Sequence, residues 1–221
     1  MIVSLQHTLA AKVSFAGVGV HTGAYATVHL EPAPANAGIT LCRVGHEATA
    51  IKLGQYVPPA APHATVIQTP TWRVSTVEHL LAAVWALRID NLKIVVDGDE
   101  IPIFDGSALP FVLLMQRAGV QEQPVRRKYL AVRTRREFVD KERNGLILLT
   151  PPLTGVASLA LEYEAPTETF AYSMVPELFI STFMAARTYG HLEQLPGLRS
   201  HGLAGGATTG NTLVITSKEF L

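Results

Sequence analysis

A single cysteine, Cys42, stands among the 221 residues, which excludes an internal disulfide and fits a reducing compartment. There is no excess of charge of either sign: eighteen Lys and Arg balance eighteen Asp and Glu. No global field therefore draws the chain to nucleic acid or anionic lipid. Long apolar runs are missing as well. The stretch Leu80 to Leu87 is far too short to cross a bilayer. Gln6, His7 and Lys12 interrupt the N-terminal run that a secretory signal needs. Charged residues make up 16% against 48% hydrophobic, which excludes a disordered tail or a solvated coiled coil. These exclusions point to a soluble cytoplasmic protein with enough chain for one large domain or two modest ones.

The residues from Val3 to Leu30 favour short strands, most clearly Ala24 to Leu30 with its β-branched and aromatic side chains. Pro32, Pro34 and Gly38 mark a loop, and residues 42–70 read as a small excursion or ribbon outside the core. A helix is expected from Ser75, with Ser75 as N-cap and Glu78 closing a capping box before Leu80, Leu81, Val84 and Leu87. Asn91 to Val96 reads as a strand and Asp97-Gly98-Asp99 as a turn. Ser107 is the expected cap of a second helix, with Pro110 in its first turn and Gly119 as its stop. The polar stretch 121–128 is the expected boundary, and Arg126-Arg127-Lys128 within it a solvated linker. Beyond it, Tyr129 to Thr134, Gly145 to Thr150 and Ala157 to Tyr163 read as strands, and Pro176 to Phe183 as a short helix. Strands followed by a helix in each half suggest two α+β layers of similar kind.

Four short segments carry possible chemistry. Gly17, Gly19 and Gly23 have the wrong spacing for a dinucleotide loop and precede a strand, so a tight β-turn is the better reading. Glu78-His79 near a helix start can border one cleft, since adjacent helical residues are about 100° apart. A His there can ligate zinc, and a neighbouring carboxylate can take a proton from water. Against this, Glu78 also reads simply as a cap and His79 as a structural side chain. Asp105-Gly106-Ser107 is sufficiently explained as a turn plus cap. Arg187-Thr188-Tyr189-Gly190 offers a cation, a hydroxyl and an aromatic ring that could line a site.

Taken in order, the segments are more specific. Gly17 to Gly23, Pro32 to Asn36, Ser75 to Leu80, Ile89-Asp90-Asn91, Glu100 to Ser107 and Ala186 to Gly190 resemble the zinc-dependent UDP-3-O-acyl-N-acetylglucosamine deacetylases of lipid A synthesis. The resemblance implies removal of acetate from UDP-3-O-(3-hydroxyacyl)-N-acetylglucosamine. It implies two similar sheet-plus-helix α+β domains packed face to face, here 1–124 and 125–221, the second incomplete. Inserts would fall at about 42–70 and after about 190. His79 matches a zinc ligand, Glu78 the general base and Thr188 the threonine that helps to stabilise the oxyanion. His21 and Tyr189 fall among the expected substrate-binding residues. The implied partners are one Zn2+ and a UDP-linked acylated glucosamine, and the implied enzyme is a monomer.

The same resemblance places the other zinc ligands (a His, and an Asp four residues later), a Lys of the site and a general-acid His beyond Leu221. His191 and His201 lack metal-ligand spacing and are not expected to replace them. Smaller departures are Tyr189 for a usual Phe, Ala165 for a common His and Gly210 for a frequent Asp. A clipped active deacetylase is the favoured expectation. A catalytically inactive short homologue that binds UDP-sugar, acyl chain or a partner protein is the alternative, and a non-functional remnant is the third.

Overall fold

The computed structural model describes residues 4–141, 145–151, 158–162, 169–173 and 175–216. Ala165 and the ends of the strand expected at Ala157 to Tyr163 lie outside the described residues.

Alternation in the sequence builds the central sheet. The first elements are β1 (Leu5–Leu9), β2 (Val13–Val18), β3 (Tyr25–Pro32), β4 (Ile39–Arg43) and β5 (Ile51–Lys52). Next come β6 (Val66–Gln68), β7 (Arg73–Ser75), helix α1 (Glu78–Ala86), β8 (Leu92–Asp97), helix α2 (Leu109–Ala118) and β9 (Val120–Arg126). Five of these strands form one sheet in the order β2-β3-β8-β4-β5. Its pairs are antiparallel except β4 with β8, which is parallel. In β3 the even positions Ala26, Val28 and Leu30 are buried while Tyr25 faces outward, the period of two that a half-covered strand requires. Leu92, Ile94 and Val96 of β8 join them in a core shared with Leu80 and Val84 of α1 and Phe111, Val112 and Met115 of α2. The mixed sheet-and-helix architecture agrees with the α+β expectation.

A second group of elements follows: β10 (Arg136–Asp140), β11 (Gly145–Leu149), β12 (Ser158–Glu162), β13 (Thr169–Ser173), α3 (Pro176–Thr182), β14 (Tyr189–His191), α4 (Leu195–Ser200) and β15 (Leu213–Ile215). β10–β11 and β12–β13 are antiparallel pairs, and β14–β15 is a parallel one. Helix α3 docks on α1: Trp85 meets Phe179 edge-on at 5.6 Å, and Arg88 pairs with Glu177 at 2.9 Å.

Several expectations need correction. Helix α1 begins at Glu78, with Val77 at the cap position and no side-chain capping bond. Ser75 is held instead in an extended pairing: its amide donates to Asp99 and its carbonyl accepts from Ile101. A backbone partner of that kind outcompetes a cap. Ser107 likewise stands one place before the cap residue Ala108. Its hydroxyl donates to Asp105 Oδ1 and accepts from the Leu109 amide.

The stretch 121–128 is not a linker. Most of it is β9, paired antiparallel with β1. Nor is Arg127 solvated: its side chain is only 11% exposed and meets Asp90 Oδ2 at 2.7 Å. Periodicity did not reveal this anchor, because the carboxylate lies 37 residues earlier in the chain. Tyr129 to Thr134 form no strand. The excursion is also narrower than 42–70: Leu41 and Cys42 are core residues of β4, β6 returns at Val66, and no residue between 44 and 65 is buried.

Candidate active site

One turn and one helix start line a cleft of about 630 Å³, within the size range usual for small-molecule sites, and a second turn anchors the segment that brings Thr188 to it. The first turn joins β2 to β3. Gly19 donates its amide to Ala24 and Gly23 donates back to Gly19, closing the hairpin read from the three glycines. No helix follows, so the dinucleotide-loop reading has no structural basis. The turn is clasped from outside, where the Gly205 and Gly206 amides donate to the carbonyls of His21 and Val20.

The second turn, Asp105-Gly106-Ser107, is closed by Asp105 Oδ1, which accepts from the amide and hydroxyl of Ser107. It is also a dock for the segment before β14. Arg187 Nε donates to the Asp105 carbonyl at 2.8 Å, and the Thr188 amide donates to the Gly106 carbonyl at 2.8 Å. Gly106 is required at this approach. Its φ is +89°, and a Cβ would stand 2.0 Å from the Asn211 carbonyl oxygen.

All five residues expected from the sequence, Glu78, His79, Thr188, Tyr189 and His21, line this one cleft. Glu78 opens α1, where the helix dipole favours a carboxylate, and its Oε2 accepts from the Thr65 amide at 3.0 Å. Burial pushes the His79 imidazole below its ordinary pKa, with the Glu78 and Asp105 carboxylates opposing in part. Burial thus favours the neutral ring, the form that ligates metal. His21 Nε2 lies 3.1 Å from the His63 carbonyl, while its Nδ1 is buried without a hydrogen-bond partner among the described residues. The far wall of the cleft is apolar, formed by Leu192, Leu195, Leu198 and Val214.

His191 also lines the cleft, whereas His201 lies outside its lining and bonds the Gly197 carbonyl. Among the described residues, no group of three or more His, Cys, Asp or Glu could hold a metal ion. His79 therefore suits one ligand position of a zinc ion but does not by itself make a site.

Sequence reading assigned no role to Glu100 or His63. His63 sits at the cleft in the poorly patterned excursion, with φ at +61°, and no spacing signals it. Glu100 did leave a trace, as the carboxylate directly before the apolar stretch Ile101 to Phe104. It is only 2% exposed, and a buried charge of that kind must have partners.

Comparison with known proteins gives a consistent result. The family model described as LpxC, UDP-3-O-acyl N-acetylglycosamine deacetylase, matches residues 6–221. A UDP-3-O-acyl-N-acetylglucosamine deacetylase of Phenylobacterium zucineum is 36% identical over 222 residues, covering 98% of this chain and 75% of the relative. One from Neisseria meningitidis serogroup B is 34% identical over 226 residues, covering 98% and 73%. One from Citrifermentans bemidjiense is 37% identical over 215 residues, covering 95% and 70%. A match of this extent, in both the family pattern and the individual relatives, makes the chain a member of the UDP-3-O-acyl N-acetylglycosamine deacetylase family.

Proposed function

We propose that this protein is a zinc-dependent amide hydrolase that removes acetate from UDP-3-O-(3-hydroxyacyl)-N-acetylglucosamine in lipid A biosynthesis. The observation that carries the reading is the convergence of Glu78, His79 and Thr188 on one cleft in a chain of this family.

Amide hydrolysis needs a nucleophile, a base and a donor to the oxygen that gains charge. Glu78, fixed through one oxygen by the Thr65 amide, accepts a proton from the attacking water. Thr188, fixed through its backbone to Gly106, offers its hydroxyl to the developing oxyanion. His21 and Tyr189 contact the substrate from opposite elements, and the leucine wall suits its acyl chain. His79 would hold the zinc ion as one of its ligands. When bound, zinc supplies Lewis acidity that polarises the carbonyl and makes water a usable nucleophile near neutral pH.

The reading carries a cytoplasmic, monomeric enzyme that takes no nucleic acid. Among the described residues, no helix is long and apolar enough to cross a membrane. It also carries two α+β units facing one another, in keeping with the α1–α3 contact. In this reading the units are 1–124 and 125–221, with β9 pairing to β1 at their junction. Acetate release by the full-length protein, and its loss on chelation, tests the function.

A further inference from the structure

We propose that Glu100 is a positioning residue of this active site: its buried carboxylate ties the His21–Thr22 turn to the backbone that launches Glu78 and His79. The assignment of an active site rests on the function proposed above; the tie itself rests on geometry.

Four donors converge on the two oxygens. Oε1 accepts from the His21 amide at 2.9 Å and the Thr76 hydroxyl at 2.9 Å. Oε2 accepts from the Thr22 amide at 2.7 Å and the Thr22 hydroxyl at 2.6 Å. One oxygen thus bridges the two walls of the cleft, while the other fastens one wall alone. Gly19 is what lets the carboxylate lie beneath the turn, since a Cβ there would stand 2.2 Å from Oε2.

The Thr76 end is the informative one. Thr76 is 3% exposed and has a φ of +58°, a conformation that a β-branched residue adopts only under constraint. It stands two residues before Glu78, between the paired Ser75 and the first turn of α1. Its backbone sets the direction in which the helix leaves β7, and therefore where Glu78 and His79 point. The Thr76–Glu100 bond fixes that conformation from the side chain. A misplacement of about 1 Å in a catalytic group can cost ~100-fold in rate, so a constraint two residues away acts on turnover.

Glu100→Gln preserves volume but cannot satisfy the donors. In either amide orientation, the NH2 group faces a backbone N–H of the turn, His21 in one case and Thr22 in the other, and that contact is lost. Thr76→Val removes only the bond on the helix side.

The test uses the full-length protein and three readouts. By steady-state kinetics, Glu100→Gln is expected to lower kcat at least about tenfold and to raise KM, because both walls loosen. Thr76→Val is expected to lower kcat with KM held within about twofold, because the His21 wall stays fastened. By hydrogen exchange, the His21 and Thr22 amides of Glu100→Gln are expected to exchange about 10- to 100-fold faster, matching the loss of a charge-assisted bond. Core amides of β3 and β8 should be unchanged. Lowered melting temperature with unaltered kcat, KM and turn exchange would overturn the proposal. If Glu100→Gln does not fold, Thr76→Val decides: an unchanged kcat overturns the proposal. Absence of acetate release by the unsubstituted protein would refute the functional reading alone; turn exchange would still decide the tie.

Discussion

The Thr65 amide donates to Glu78 Oε2 at 3.0 Å, so the exposed excursion that ends at β6 reaches back to hold the carboxylate at the head of α1. This bond, rather than a cap from Ser75, fixes the rotamer of Glu78. Glu78→Gln keeps an oxygen for Thr65 and loses only the basicity. Turnover is expected to fall about 100- to 1,000-fold, with a melting temperature close to that of the unsubstituted protein. Kinetics and thermal melts on the same samples check both halves.

Gly106 couples its turn to the segment before β14 that carries Thr188. Gly106→Ala forces a Cβ toward the Asn211 carbonyl at an unfavourable positive φ. We expect a loss of about 2 kcal/mol or more in urea unfolding, combining overpacking with the left-handed backbone penalty. Activity should fall further than stability, because the Thr188 amide is anchored on the Gly106 carbonyl. Unchanged activity would show that Thr188 does not depend on this dock.

Arg127 binds Asp90 Oδ2, which also accepts from the His7 amide, and it donates to the Arg88 carbonyl. Arg127→Met leaves a half-buried carboxylate without its cation, at an expected cost of about 2–3 kcal/mol by denaturant unfolding. Asp90→Asn/Arg127→Met should recover part of that loss.

The core was legible because its signal is local. Leu80 and Val84 repeat at helical spacing, Val28 and Leu30 at strand spacing, and both patterns survive in the folded chain. The turns of Gly19 and Asp105 were legible for the same reason. Interactions distant in sequence were not. Arg127 reads as solvent-facing until Asp90 is placed beside it, and Ser75 reads as a cap until the backbone of residues 99–101 claims it. For the cleft, the resemblance supplied the residues, while the local pattern alone left Glu78 open between a capping residue and a base. The role of Glu100 escaped notice because its four donor groups come from two segments, 21–22 and 76, that only the fold brings together.

Glu100 also gives the protein a specific acid sensitivity. Burial alone would raise its carboxyl pKa, but hydrogen bonds from Thr22, His21 and Thr76 outweigh that effect and hold it below the ordinary value of 4.5. A carboxyl lowered by folding contributes stability above its unfolded pKa and loses it as pH falls through the folded value. The stability gap between the unsubstituted protein and Glu100→Gln should therefore be full above about pH 5 and shrink below about pH 4. Urea midpoints across this range measure the gap; one that stays constant would mean that the carboxylate is not ionised in the fold.

The central claim is amide hydrolysis at the Glu78–His79–Thr188 cleft. It is tested most directly by quantifying acetate released from UDP-3-O-(3-hydroxyacyl)-N-acetylglucosamine by the full-length, zinc-loaded protein, beside its Glu78→Gln counterpart. The account predicts one acetate per deacetylated sugar nucleotide and near-complete loss in Glu78→Gln. Tight binding of the substrate with no acetate released would contradict it and leave a sugar-nucleotide-binding protein in place of an enzyme.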